Sequence, residues 1–276
     1  MEVVVTGATG FVGRAVVRHL RAAGHRPLAL ARRQTPDATW VSSYAEAPAA
    51  DALVHLAEIA HRGAAEAAGS AYEEETSSTL KVLLARGYRR VVYASSGVLY
   101  GDRHAMPCRV GMPVEARDRY TRIKLRSEAS VLAARGAVLR LANLYGHSVT
   151  RGTVLGTILS QIPGTGPLWV QDDTPVRDFL WIDDAAEAFV ALVESDVSGI
   201  FNVGTGVGTS VRELARAALA CAGESHRPIV TSAKPSAASS LVLDIGHTCA
   251  SLPWRPRTAL AEGLGRLLKP QAMSIE

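Results

Sequence analysis

The stretch that most constrains this chain is Val3-Val4-Val5-Thr6-Gly7-Ala8-Thr9-Gly10-Phe11-Val12-Gly13, where an apolar run ends in G-x-x-G-x-x-G and passes directly into FVGRAVVRHLRAAG. A short β-branched run predicts a buried strand, and apolar residues recurring at three- and four-residue intervals predict a helix. Glycines at the junction permit a tight turn. They also let backbone N–H groups approach a pyrophosphate at the positive end of the helix. Gly7, Gly10 and Gly13 therefore mark a dinucleotide site.

Downstream, the apolar runs PLALA, ALVHLA, RVVYAS and AVLRLA alternate with the helical stretches STLKVLLARG and KLRSEASVLAARG. Alternation of this kind produces a parallel sheet covered by helices on both faces. The expected fold is α/β: a Rossmann-type doubly wound parallel sheet with a smaller C-terminal substrate lobe. Residues 1–146 and 177–201 are assigned to the NAD(P)-binding core, and 147–176 with 202–276 to the lobe over the sheet's carboxyl edge, where ligands of such folds sit. Within the lobe, Ser210-Val211-Arg212-Glu213 has the spacing of a capping box.

A chain of 276 residues buries enough apolar surface to need no disulfide staples. Cys108, Cys221 and Cys249 are far apart and form no C-x-x-C pair, so neither a disulfide framework nor a metal knuckle is expected, and the setting reads as cytoplasmic. MEVVVTGATG leaves no room for a secretory signal, and no apolar run reaches spanning length, so no membrane association is expected. The net charge is +4 with arginines scattered through the chain, which argues against a nucleic-acid surface. Trp40, Trp169, Trp181 and Trp254 are too dispersed to form a stacking platform.

The end of the second strand decides the choice of nucleotide. NAD sites usually carry an acidic residue there for the ribose 2′-OH. Here the chain reads Ala29-Leu30-Ala31-Arg32-Arg33. A guanidinium binds a 2′-phosphate in fork geometry, so NADPH is expected, with Arg32 the leading contact and Arg33 beside it. NAD is the alternative, with both arginines merely capping a strand in solvent.

Tyr120 and Lys124, in RYTRIK, stand four residues apart at the start of a helical stretch and so share one face. The chain has only four lysines, Lys81, Lys124, Lys234 and Lys269. A phenol titrates near 10, and acid/base work at neutrality asks for a drop worth about 4 kcal/mol. An ammonium ~4.5 Å away would contribute ~3.7 kcal/mol at an effective dielectric of ~20. Upstream, VVYASSGVLYG ends a parallel strand in serines, whose hydroxyls point into the crevice and can steady a carbonyl oxygen. Serine, tyrosine and lysine together form a carbonyl-reducing set.

These pieces, TGATGFVG, DALVHLA, YASSGVLYG, YTRIKLRSE, LRLANLYG, RDFLWIDDAAEA and FNVGTGVGTSVREL, cover residues 3 to about 215. In that order they resemble an extended short-chain dehydrogenase/reductase, the NAD-dependent epimerase/dehydratase family of nucleotide-sugar enzymes. The resemblance implies that Ser96, Tyr120 and Lys124 are catalytic. It implies that Phe11, Val12, Leu56 and Ala57 line the cofactor, that Asn143 and Arg177 face the substrate diphosphate, and that the enzyme is a homodimer. YASSGVLYG lacks the Thr-Asp-Glu shared by sugar-nucleotide 4,6-dehydratases, so water elimination is not expected. Glu73-Glu74-Glu75-Thr76-Ser77 stands where the family often has an asparagine.

The expected activity is NADPH-dependent reduction of a nucleotide-linked keto-deoxysugar, such as an NDP-4-keto-6-deoxyhexose. An NAD-dependent nucleotide-sugar epimerase, a reductase of a non-sugar ketone and a non-catalytic NADP-sensing regulator are the rivals. His55 reads as a packed strand residue, and His61 and His104 as loop residues. Asp183 and Asp184 read as helix N-caps, Asp172-Asp173 as a turn, and Arg140 as a neutraliser of its neighbours.

Overall fold

A computed structural model of the chain describes residues 1–104, 107–147, 152–233 and 238–269. Its first elements are β1 (Glu2–Thr6), α1 (Phe11–Ala22), β2 (Arg26–Ala31), β3 (Thr39–Trp40), β4 (Ala52–His55), α2 (Arg62–Leu84) and β5 (Arg90–Ser96). There follow α3 (Arg119–Ala133), β6 (Ala137–Leu141), β7 (Asn143–Tyr145), α4 (Val154–Leu159), β8 (Leu168–Val170), β9 (Val176–Arg177), β10 (Phe179–Trp181) and α5 (Ile182–Val193). The chain closes with β11 (Gly199–Val203), β12 (Thr209–Ser210), α6 (Val211–Cys221), β13 (Ile229–Thr231), β14 (Ser240–Leu241), α7 (Gly246–Ser251) and α8 (Leu260–Leu268). Short 3₁₀ turns lie at Tyr44–Glu46 and Gly97–Tyr100.

Seven strands form one parallel sheet in the order β11-β6-β5-β4-β1-β2-β3. From β1 the chain winds outward through β2 and β3, then returns to β4 on the other side and winds away through β5 and β6. The crevice between the carboxyl ends of β1 and β4 is thus the switch point where ligands of open α/β sheets bind. Val3, Val4 and Val5 are fully buried, as expected of a strand covered on both faces.

One face carries α1 and α5, packed on each other. Helix α1 is amphipathic, burying Ala15, Val16, Val17 and Leu20. The opposite face carries α2 and α3, whose Leu80, Leu83 and Val131 join Val4, Leu53 and Val138 in a second apolar cluster. Beyond the main sheet, β7 pairs with β10, β9 lies between β12 and β14, and β8 pairs with β13. Ser210 caps α6 in a capping box with Glu213.

Three details differ from the sequence reading. The helix ending in STLKVLLARG is 23 residues long and begins at Arg62, with a kink at Gly69, where φ is 76°. Strand β3 is two exposed residues with no apolar signal. Asp183 and Asp184 lie in the first turn of α5, whose N-cap is Trp181, and neither is the cap. Asp183 holds Arg18, His19 and the Trp181 indole, while Asp184 accepts the backbone N–H groups of Arg257 and Thr258.

Candidate active site

The glycine loop joins β1 to α1. Gly7 has φ 68°, a left-handed conformation that glycine adopts without strain. A side chain on Gly13 would place its first carbon 2.2 Å from the Gly7 carbonyl oxygen, so only hydrogen fits there. The backbone of Leu56 and Ala57, just past β4, closes the other side, 3.1 Å from where a Gly7 side chain would begin. Helix α1 opens at Gly10 with no side-chain cap, whereas α3 and α6 both open in capping boxes. A close-packed backbone cradle at an uncapped helix start fits a dinucleotide pyrophosphate. Phe11 and Val12 form the first turn and are partly buried against the core.

Arg32 follows directly on β2 and is about half exposed, with its guanidinium 5.7 Å from the centre of the Tyr44 ring. It also lies 3.3 Å from the Glu75 carboxylate of α2. Arg32, Tyr44, His55, Ala57, Tyr72 and Glu75 line one cleft. Arg33 is exposed.

Ser96 is the last residue of β5, and Tyr120 and Lys124 occupy the first turns of α3, which packs against β5. The start of α3 is fixed by its N-cap: the Asp118 carboxylate accepts the Thr121 N–H at 2.8 Å, and the Thr121 hydroxyl accepts the Asp118 N–H at 3.0 Å. Tyr120 is buried, 8% exposed. The Ser96 hydroxyl accepts the Val98 N–H at 3.3 Å, which leaves its own proton for a further acceptor. Lys124 Nζ lies 5.9 Å from the Tyr120 ring centre and 4.9 Å from that of Tyr93, and it donates to the Ala94 carbonyl at 2.8 Å.

Ser96 and Asn143 line a second cleft with Gly97, Leu141, Leu241 and Leu243. Arg177 is the register partner of Leu241, one residue along β14 from Ser240, and is turned to the Ser239 side. Its guanidinium donates to the Ser239 hydroxyl at 2.7 Å and lies 3.6 Å from the Asp102 carboxylate. Neither cleft therefore unites all of the anticipated residues: Arg32 and Ala57 stand in one, Ser96 and Asn143 in the other, with Tyr120 and Lys124 on α3.

Two buried carboxylates on or against α3 escaped the sequence reading. Glu58, three residues past His55, is 1% exposed in its side chain; Lys124 Nζ lies 2.9 Å from Oε2, and the Ser127 hydroxyl donates to Oε1 at 2.7 Å. The Tyr93 hydroxyl also donates to Oε2, at 2.5 Å. Burial pushes the Glu58 carboxyl up, but Lys124, His55 and the two hydroxyls more than offset this and hold it below the usual carboxylate range. Burial lowers the Lys124 ammonium's pKa, and Glu58 with Tyr120 outweighs that and holds it above the usual lysine range. Burial drives His55, hydrogen-bonded to Thr6 Oγ1 at 2.8 Å, down to about 4. The second carboxylate, Glu128, pairs in fork geometry with Arg140 and accepts the Ser95 hydroxyl. For Glu58 the available signal was a carboxylate three residues past the otherwise apolar strand β4; Glu128, inside α3, offered none.

Comparison with known proteins agrees with this architecture. The family model described as NAD dependent epimerase/dehydratase family matches residues 3–204. The UDP-glucose 4-epimerase of Mycolicibacterium smegmatis is 27% identical to the chain, with 98% of either sequence covered. Among solved structures, the UDP-glucose 4-epimerase of Thermotoga maritima with UDP-glucose superposes with a TM-score of 0.84 at 22% identity over 97% of each chain. RMD from Pseudomonas aeruginosa, complexed with NADPH, superposes with a TM-score of 0.83 at 23% identity, again over 97% of each. At these identities the structural likeness speaks for the fold, and the family model, which spans the glycine loop, β5 and α3, speaks for descent. This chain belongs to the NAD dependent epimerase/dehydratase family and is an NAD(P)-dependent enzyme.

Proposed function

We propose that the enzyme is an NADPH-dependent ketoreductase acting on a nucleotide-linked keto-deoxysugar such as an NDP-4-keto-6-deoxyhexose. The observation that carries this reading is Arg32: the residue just past β2 is a guanidinium where an NAD-selective site places a carboxylate. Gly7, Gly10, Phe11, Val12, Gly13, Leu56 and Ala57 would hold the dinucleotide, and Arg32 with Arg33 its 2′-phosphate. When bound, the cofactor supplies a hydride to the substrate carbonyl carbon.

The chain's own residues manage the oxygen. Ser96 donates a hydrogen bond to the carbonyl oxygen, and Tyr120 hands that oxygen its phenolic proton. The Lys124 ammonium, with the Tyr120 ring centre 5.9 Å away and Glu58 partly balancing its charge, stands on the side where it would favour the phenolate left behind. Asn143 and Arg177 would meet the diphosphate, with Arg177 exchanging its Ser239 and Asp102 contacts for phosphate oxygens. We assign 147–176 and 202–276 to the lobe that closes over the substrate.

The test is a panel of nucleotide sugars and their 4-keto-6-deoxy derivatives offered with NADPH or NADH, followed by loss of reduced-nicotinamide absorbance and by product analysis. Net NADPH consumption with one keto sugar is the expected result. A second reading, a nucleotide-sugar epimerase that recycles NAD, is favoured by Glu75, whose carboxylate faces Arg32 at 3.3 Å and offsets its charge. It expects NAD bound after purification, sugar interconversion and no net NADPH loss.

A further inference from the structure

We propose that Glu58 is a positioning residue: it is the buried counter-ion that aims Lys124 along the carboxyl edge of β5 and keeps it charged. The inference rests on the role given to Lys124 above. The Glu58 carboxylate receives groups from two elements, the Tyr93 hydroxyl of β5 and the Lys124 ammonium and Ser127 hydroxyl of α3. Each of these contacts is 2.5 to 2.9 Å long, and Glu58 and Lys124 are 1% and 8% exposed in their side chains. A carboxylate so enclosed, with several donors converging on it, is a built site rather than a surface pairing.

Its consequence for Lys124 is geometric first. An ammonium has three N–H groups. One goes to Glu58 and one to the Ala94 carbonyl, so the third has a fixed direction, with the Tyr120 ring centre 5.9 Å from the nitrogen. The consequence is also electrostatic. A lysine buried without a counter-ion gives up its proton by several pH units earlier than one in water. The other titratable groups around the pair are His55 of β4, Tyr72 of α2, Tyr93 of β5 and Tyr120 of α3, and Glu58 is the carboxylate among the described residues that acts on Lys124. Tyr93, its proton held by burial and by Glu58, remains a donor. Thus the charge that would assist Tyr120 is maintained by a residue outside the Ser96, Tyr120 and Lys124 set, and that charge reaches the phenol already partly balanced.

The experiment uses the low lysine count. With only Lys81, Lys124, Lys234 and Lys269, the full chain labelled at lysine Cε with ¹³C gives a countable NMR spectrum in which Lys124→Met identifies the Lys124 signal. In the wild type this signal is expected to stay in its charged position through alkaline pH. In Glu58→Gln its midpoint is expected to move acidward by about two pH units or more, with the other three signals unmoved. Glu58→Asp, which keeps the charge but withdraws it by one methylene, is expected to restore most of the wild-type titration, and Glu58→Ala replaces Glu58→Gln should the latter fail to fold. In the ketoreductase assay the alkaline limb of kcat should follow the Lys124 titration, and Glu58→Gln should add nothing to the loss in Lys124→Met. A Lys124 titration unchanged in folded Glu58→Gln or Glu58→Ala, or additive losses in the double variant, would overturn the assignment. Absence of turnover in the wild type would instead overturn the ketoreductase reading, with the NMR titration still deciding the role of Glu58.

Discussion

Truncating Glu128 to alanine should be among the costliest single changes in this protein. Glu128 sits on α3, two turns beyond Tyr120, and both it and Arg140 are 4% exposed in their side chains. Arg140 Nε and Nη2 donate to its two oxygens at 3.0 and 2.7 Å, the Ser95 hydroxyl donates at 2.5 Å, and the guanidinium lies 4.8 Å from the centre of the Tyr100 ring. Glu128→Ala leaves the guanidinium buried without its anion, a loss of about 3–5 kcal/mol. Unfolding entropy near 2.1 cal/mol/K per residue gives about 0.6 kcal/mol/K for 276 residues, so a 4 kcal/mol loss lowers Tm by roughly 7 °C. Reversible urea unfolding reads the effect directly, as a lower midpoint at unchanged slope. Glu128→Met combined with Arg140→Leu should recover most of the stability, since the penalty comes from the stranded charge and not from loss of the pair itself. If Glu128→Ala costs less than about 1 kcal/mol, the size of an exposed pair, the buried-charge reasoning is wrong.

Other outcomes follow from the same structure. Tyr120→Phe should lower kcat by about 100-fold or more while NADPH still binds, as fluorescence titration will show; wild-type turnover in this variant would remove Tyr120 from the chemistry. Arg32→Ala should weaken NADPH binding and spare NADH, whereas Glu75→Gln, by freeing Arg32, should tighten NADPH; equal effects on both nucleotides would refute a 2′-phosphate contact. His55 supplies a pH dependence of stability. Its folded pKa of about 4 lies below the unfolded value of 6.5, so between these the unfolded chain binds a proton that the native state does not. Stability should therefore fall by roughly 3 kcal/mol as pH drops through that window, and His55→Gln should flatten the slope. A wild-type midpoint independent of pH between 6.5 and 4 would contradict the burial assigned to this ring.

What was legible in the sequence was what neighbouring residues decide among themselves. The G-x-x-G-x-x-G junction, the strand and helix alternation and the Ser210 to Glu213 capping box all rest on spacing within a turn or two, and each has its counterpart in the structure. Tyr120 and Lys124 share a helix face for the same reason. By contrast, β3 is two exposed residues paired with β2 and carries no periodic signal, and the first half of α2 is interrupted at Gly69. The aspartates at the start of α5 looked like caps because caps are local, yet Asp184 satisfies backbone groups more than seventy residues away.

The sequence alone determined that this chain would be a parallel α/β sheet with a dinucleotide loop at its first turn, because backbone propensity and apolar periodicity are properties of short segments. Only the tertiary structure decided the electrostatics of the site. Glu58 meets Ser127 across 69 positions of chain and Tyr93 across 35, and Arg177 meets Ser239 across 62. A charge is set by whatever surrounds it in space once water has been excluded, and spacing along the chain does not encode that enclosure.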